Sequence, residues 1–324
     1  MILSSVCLIR YQTDTETLKI ILSVVQVSVN PLLDPAHLTN IEDLCLLAKV
    51  VVDGNFSGIH KSRRQGRGNE FFQYRAYEPG EDLKNVDWKI YAKLGELVSK
   101  TYQESTHANM MVVLDASASM AYQGTGSKCS KFRYAQMLAA CLIYLGHRQG
   151  DRVGLFGGSS DRQQWMFPSA GKENFKNLLT CIGGMEPVGE DFTDQSWEKF
   201  KSKLPRQATV VVISDFLEDE QKLPERLSFA GSSQYECLCL QIVDPMEETL
   251  PEDEAVRFVA LEGERELSVS PDRIRSDYQS EMRNHMQRLR TILAGVGSEF
   301  TTLRTDQDLG LGIRKFLGSR KILK

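Results

Sequence analysis

Asp115, Ser117 and Ser119 stand at alternating positions in MMVVLDASASMAY, residues 110–122, where an apolar run of strand character gives way to a turn. Three oxygen-bearing side chains in one turn suit a hard divalent cation, which prefers carboxylate and hydroxyl oxygens to nitrogen or sulfur. A second apolar run, ATVVVISD, ends in the same way at Asp215. In an open doubly wound sheet, ligands lie beyond the carboxyl ends of the strands, where the strand order reverses. If the two runs flank that reversal, Asp115 and Asp215 face one crevice although 100 positions separate them in the chain. Two carboxylates so placed repel, so either a cation neutralises them or one of them is protonated. Mg2+, which takes six oxygens at roughly 2.1 Å, is the simplest such cation, with Mn2+ as an equivalent. The plainer role for Ser117 and Ser119 is to satisfy turn and helix-start amides, and for Asp215 to act as a cap.

Positioning these residues requires an alternation of strands and helices, and the sequence supplies one. MMVVLD is followed by KFRYAQMLAACLIYLGHR, whose Phe132, Ala135, Ala139, Leu142 and Ile143 fall on one helical face. RVGLF reads as the next strand and QQWMF as an antiparallel neighbour. Helices over ENFKNLLTCI and TDQSWEKFKSKL then lead to ATVVVISD. A helix near Leu223 to Ala230, the strand CLCLQIVD and a hairpin about Glu262-Gly263 come next. A helix from Asp272 to about Ala294, the strand EFTTLR and a helix near Leu309 to Leu317 complete the chain. The expected class is α/β: a doubly wound, mostly parallel sheet with helices on both faces, plus a smaller N-terminal segment. Upstream, Thr39-Asn-Ile-Glu42 has capping-box spacing, and the helical period from Ile41 to Val52 stops at Gly54. Residues 55–106, dense in charge and aromatics, read as short strands and a helix in which Arg75, Asp82, Asp87 and Trp88 lock the segment by ion pairs and packing.

Asp115-Ala-Ser117-Ala-Ser119 resembles the DxSxS of the metal-ion-dependent adhesion site in von Willebrand factor A domains. The resemblance implies that the two serines and a distant threonine bind Mg2+ directly, while two aspartates hold it largely through water. The ion then stays electrophilic and takes an Asp or Glu carboxylate from a protein partner as its last ligand. Thr193, in GEDFTDQS, is the candidate threonine, although its loop lacks the glycine-flanked form common at that site, and Asp215 is the last acidic member. The flanking stretches GIHKSRRQGRGNEFFQYRAYEPGEDLKNVDWKIYAK, KFRYAQMLAACLIYLGHRQGDRVGL and IVDP narrow the resemblance to the bacterial domain of unknown function 58 family. That family implies a non-enzymatic binding or adaptor protein that works with a MoxR-type AAA+ ATPase or its client. The expected organisation is an extension over 1–30, a family-specific segment over 31–106 and a von Willebrand factor A-like domain over 107–324. The extension has no counterpart in the family, and one expectation is that translation begins further down, at Val27 or Val29 read as an initiator.

Composition narrows the alternatives. The 324 residues, 41% hydrophobic and 25% charged, suit a soluble globular protein able to bury a core without staples. Seven cysteines without a CxxC read as reduced, buried thiols. The longest apolar run, within Leu18 to Val29, is interrupted by Lys19, Ser23 and Gln26 and falls short of the roughly 20 residues a bilayer needs. It also lacks the flanks of a signal peptide, so a cytoplasmic location is expected. A net charge of −4 argues against a protein that coats nucleic acid, although the basic loop of Lys61, Arg63, Arg64 and Arg67 leaves nucleic-acid binding as one alternative. A Mg2+-dependent phosphohydrolase is the other, weakened by the lack of a DxD pair and of an obvious lysine partner. Gly124-Thr-Gly-Ser-Lys128 lacks P-loop spacing, and no GxSxG or HExxH occurs.

Overall fold

The computed structural model describes residues 41–55, 65–79, 82–103, 108–249, 256–259, 266–269, 271–310, 312–314 and 318. The possible start at Val27 or Val29, the capping threonine Thr39, the basic residues Lys61, Arg63 and Arg64, and the turn at Glu262-Gly263 lie outside them. In chain order the elements are α1 (Ile41–Asn55), β1 (Gln65–Ala76), α2 (Trp88–Leu94), β2 (Val98–Gln103), β3 (Asn109–Asp115) and α3 (Lys131–Gln149). Then come β4 (Arg152–Gly158), β5 (Gln163–Ser169), α4 (Lys172–Gly183), α5 (Asp194–Lys203), β6 (Ala208–Ser214) and α6 (Leu223–Arg226). The last are β7 (Tyr235–Val243), α7 (Pro245–Thr249), β8 (Val256–Val259), β9 (Glu266–Val269), α8 (Pro271–Gly295) and β10 (Ser298–Arg304).

Six strands form the central sheet in the order β10-β7-β6-β3-β4-β5. All neighbours are parallel except β5, which runs antiparallel to β4 at one edge. Strands covered on both faces have no polar side to show, which is why β3 and β6 are near-continuous runs of Met, Val, Ile and Leu with almost every residue buried. The chain leaves β3 through α3 to β4 on one side and later returns to β6 on the other. The order therefore reverses between β3 and β6. Their register pairs Leu114 with Ile213, so Asp115 and Asp215 leave the sheet side by side at its carboxyl end.

Helix α3 begins at Ser130, whose hydroxyl accepts the Arg133 N–H at 3.2 Å, and stops at Gly150 in a left-handed conformation. Its stripe of Ala135, Leu138, Ala139 and Leu142 is fully buried. Helix α1 packs against α3 and α4 through Leu44, Leu47, Ala48, Val51 and Val52, and Asp53 pairs with Arg148 at 2.6 Å. The chain accordingly divides into two compact units, residues 58–108 and the remainder, with α1 grouped with the sheet rather than with the segment that follows it. An amphipathic helix must cover its apolar face, and α3 and α4 supply the cover.

Two local expectations are modified. The helix expected over Leu223 to Ala230 is four residues of α6 followed by a turn of 3-10 helix, although Leu223, Leu227 and Ala230 still reach the core that set their spacing. Trp88 does not lock its segment by packing: it is more than half exposed and meets Tyr91 edge-on. Asp87 does. Its Oδ1 accepts the N–H groups of Lys89 and Ile90 at the start of α2, and its Oδ2 receives the Tyr74 hydroxyl at 3.1 Å and the Lys100 ammonium at 2.9 Å.

Lys100, with Tyr74 and the helix amides, holds the Asp87 carboxyl down at about 2 against the opposing effect of burial. A carboxyl depressed on folding adds stability above its unfolded value near 4 and withdraws it as the pH falls through 2. Amide exchange over 65–103, corrected for intrinsic rates, should lose protection between about pH 4 and 2, and D87N should lack that acid step. An unchanged profile in D87N would remove Asp87 from this role.

Candidate functional site

Asp115 ends β3 with both carboxylate oxygens engaged. Its Oδ1 accepts the Ser117 N–H at 2.8 Å and its Oδ2 accepts the Ser214 hydroxyl at 2.7 Å. The turn that follows is laced to its surroundings by backbone bonds. Ala116 N–H donates to Gly158, Ala118 N–H to Gly189, and Val188 N–H back to Ala116. Gly158 has a φ of 126° and a side chain there would strike the Arg162 carbonyl, so only glycine lets the end of β4 support the turn. The result brings Ser117 Oγ and Ser119 Oγ into a hydrogen bond with each other at 3.0 Å, both buried.

On the β6 side, Ser214 Oγ accepts the Phe216 N–H at 3.0 Å while donating to Asp115. Phe216 is buried with a φ of 53°, an uncommon conformation for a non-glycine residue, and the bend it makes turns the chain away directly after Asp215. Asp215 Oδ1 accepts the Leu217 N–H at 3.3 Å, and its Oδ2 lies 2.7 Å from Lys131 Nζ. Lys131 is 0% exposed, and its ammonium also lies 2.7 Å from Glu247 Oε1. Glu247 in turn accepts the Asp244 N–H at 2.8 Å.

Electrostatics follow from this crowding. Burial, and then the Asp215 charge, raise the Asp115 carboxyl to about 6 against the lowering effect of the Ser117 and Ser214 bonds. Burial also lifts Glu247 to about 7, more than the ammonium beside it lowers it. For Lys131, burial acts to strip the proton, and Asp215 and Glu247 more than reverse that, so it stays charged. Asp215 and Glu247 thus share the single positive charge of Lys131, and Asp115 feels the charge of Asp215.

The structure brings Asp115, Ser117, Ser119 and Asp215 to the same strand ends. Thr193 is the N-cap of α5, its Oγ1 accepting the Ser196 N–H at 3.2 Å and sharing a hydrogen bond with Ser196 Oγ at 2.9 Å. Its neighbour Phe192 stacks on Phe156 at 4.7 Å and fixes that loop to the core. Asp191 and Phe192, not Thr193, line a small cavity of about 10 Å3 with Asp115, Ser214 and Glu218.

Lys131, Glu247, Ser214, Asp191 and Glu218 were not anticipated from sequence. For Lys131 a signal existed. It occupies the first turn of α3, where a positive charge opposes the helix dipole, and it precedes Ala135, Leu138 and Leu142 on the buried stripe. A lysine so placed needs acidic partners.

The residues fit a divalent ion in part. Two neighbouring ligands of an octahedral ion at roughly 2.1 Å stand about 3.0 Å apart, which is the spacing of the two serine hydroxyls. Asp115 is adjacent, but Asp215 is already neutralised by Lys131. Among the described residues no three His, Cys, Asp or Glu side chains form a metal site, so any ion would depend on the hydroxyls. The six cysteines among the described residues are free, four of them buried, and no described helix is long and apolar enough to cross a membrane.

Similar proteins place the chain. An uncharacterized protein of Mycobacterium tuberculosis (strain ATCC 25618 / H37Rv) is 26% identical over 293 residues, covering 89% of this chain and 91% of that one. The uncharacterized protein YeaD of Bacillus subtilis (strain 168) is 23% identical over 148 residues, 45% of this chain and 34% of its own. Among solved structures, the conserved hypothetical protein BatB from Bacteroides thetaiotaomicron is similar over 66% of this chain and 99% of its own, at 13% identity and a TM-score of 0.43. The SpRpn10 VWA domain is similar over 63% of this chain and 92% of its own, at 11% identity and a TM-score of 0.40. The model of the family described as protein of unknown function DUF58 matches residues 73–288, and the chain belongs to that family.

Proposed function

We propose that this protein is a non-catalytic adaptor that binds another protein at the carboxyl end of β3 and β6, through a Mg2+ ion (or Mn2+) held by Asp115, Ser117 and Ser119. The 3.0 Å spacing of the serine hydroxyls beside a buried carboxylate carries the reading. Neutral hydroxyls leave a divalent ion much of its charge, and such an ion attracts an acidic side chain from outside. Asp215 contributes through water or through its position, since its oxygens are engaged. Thr193 caps α5 through one lone pair of its hydroxyl, and the second lone pair leaves it able to join the ion as well. Both serine hydroxyls are buried, so a partner carboxylate reaches the ion only as the surrounding loops part. The family resemblance suggests a MoxR-type AAA+ ATPase or its client as that partner, in the cytoplasm.

The test is retention of a purified MoxR-type ATPase from the same organism on the immobilised protein. Retention in Mg2+, release by EDTA and loss in D115N are expected. Equal retention in Mg2+ and in EDTA would count against the ion.

One observation bears on the phosphohydrolase alternative. Lys131 supplies the lysine that sequence alone did not reveal. Its ammonium is enclosed by two carboxylates and cannot meet a phosphate, so the binding reading is favoured. Turnover of p-nitrophenyl phosphate with Mg2+, lost in D115N, would reverse that preference.

A further inference from the structure

Of the two aspartates at the carboxyl ends of β3 and β6, Asp215 already has a cation. Lys131 Nζ lies 2.7 Å from Asp215 Oδ2 and 2.7 Å from Glu247 Oε1, and nothing of its side chain reaches solvent. The lysine is fixed at its base as well. It follows the Ser130 cap, and its own N–H donates to the Tyr122 carbonyl at 2.9 Å. Two carboxylates hold the ammonium at the far end of the side chain. A divalent ion at the Ser117 and Ser119 hydroxyls would therefore find Asp215 occupied and a like charge close by, with little water to screen the two.

We infer that Lys131 is a resident cation that occupies Asp215 and keeps the affinity of the Asp115, Ser117 and Ser119 oxygens for a divalent ion low. The inference rests on the metal-site reading above and adds to it the residue that tunes the site. It makes the ion a loosely held component, present when the concentration of free metal is high. The fold itself is held in the absence of metal by the ammonium. Glu247 matters because it completes the pair: with Lys131 neutral, its carboxylate would be left buried without a counter-charge.

The test variant is K131M/E247Q, which removes one positive and one negative charge together. Methionine keeps an unbranched stem in the buried slot, and glutamine keeps an oxygen for the Asp244 N–H. Mn2+ alone is the probe, titrated at pH 7.5 and followed by the electron paramagnetic resonance of the free aqueous ion. Circular dichroism establishes that each variant is folded. Binding to the double variant at least tenfold tighter than to the wild type, abolished by adding D115N, is the expected result. Weak or undetectable binding to the wild type alongside tight binding to the double variant also supports Lys131 as the gate. Equal, D115N-sensitive affinity in both would overturn the inference and leave the metal site standing. Binding in both that ignores D115N, or binding in neither, would overturn the inference and the metal site together. Should K131M/E247Q not fold, K131Q takes its place, because its amide can still donate to one of the two carboxylates and the same comparisons apply.

Discussion

K131M is expected to melt roughly 10 °C below the wild type in EDTA at pH 7.5. The change leaves Asp215 buried between Glu247 and Asp115, each of which feels its charge, with the ammonium gone. Removing one partner of a buried ion pair typically costs about 3–5 kcal/mol, because the other partner is left uncompensated. For a unit of this size about 1 kcal/mol moves Tm by roughly 2–4 °C, which gives the figure above. The methionine stem retains the packing, so the loss is electrostatic rather than a cavity. Its pH dependence follows from Glu247, whose carboxyl burial already lifts to about 7. A carboxyl raised on folding makes the protein less stable as the pH rises from its unfolded value through its folded one. Without the ammonium that folded value climbs further, so K131M should recover stability as the pH is lowered from 8 to 6, more than the wild type does. E247Q introduced into K131M should return part of the lost Tm by removing one of the stranded charges. Calorimetric melts across that pH range decide the matter. A K131M melt within about 2 °C of the wild type would mean that the ammonium does not hold these strand ends together.

The sheet was legible because its strands announce themselves. Unbroken apolar runs such as MMVVL and ATVVVIS suit only strands covered on both faces, and the helical period between them supplies the cover. The likeness of the two strand ends pointed to one crevice, and the reversal of order between β3 and β6 puts Asp115 and Asp215 there. The rest of the site was less legible for two physical reasons. Side chains from distant segments meet only through the topology: Glu247 reaches Lys131 from α7, 116 positions away. A serine or threonine near a helix start also serves equally well as a cap or as a ligand, and spacing does not separate the two. The structure gives Thr193 the cap. It gives Ser117 and Ser119 each other, an arrangement the alternation of DASAS made plausible but could not fix in distance. The charge of Lys131 on an apolar stripe was the clue available.

D115N should separate stability from binding. In the metal-free protein the Asp115 carboxyl sits at about 6 rather than its ordinary 3.8, chiefly through burial and then through the charge of Asp215. Ionising it in the folded state is therefore unfavourable, and a shift of that size corresponds to roughly 3 kcal/mol of strain above pH 6. Asparagine has the same shape, keeps an oxygen for the Ser117 N–H and removes the charge. It loses the bond from the Ser214 hydroxyl unless that hydroxyl rotates to accept from the new amide, a cost of about 1 kcal/mol. The balance favours the variant: in EDTA at pH 7.5, D115N should melt a few degrees above the wild type. The wild type should lose stability between about pH 4 and 6, and D115N should show less of that decline. Divalent ions should do the opposite. Mn2+ should raise the Tm of the wild type by mass action and leave D115N unmoved, because the carboxylate beside the serine hydroxyls is gone. A residue whose replacement stabilises the empty fold while abolishing its response to metal is held for binding rather than for folding. If D115N instead melts well below the wild type in EDTA and both respond alike to Mn2+, Asp115 is a structural cap for its turn and the ion, if any, lies elsewhere.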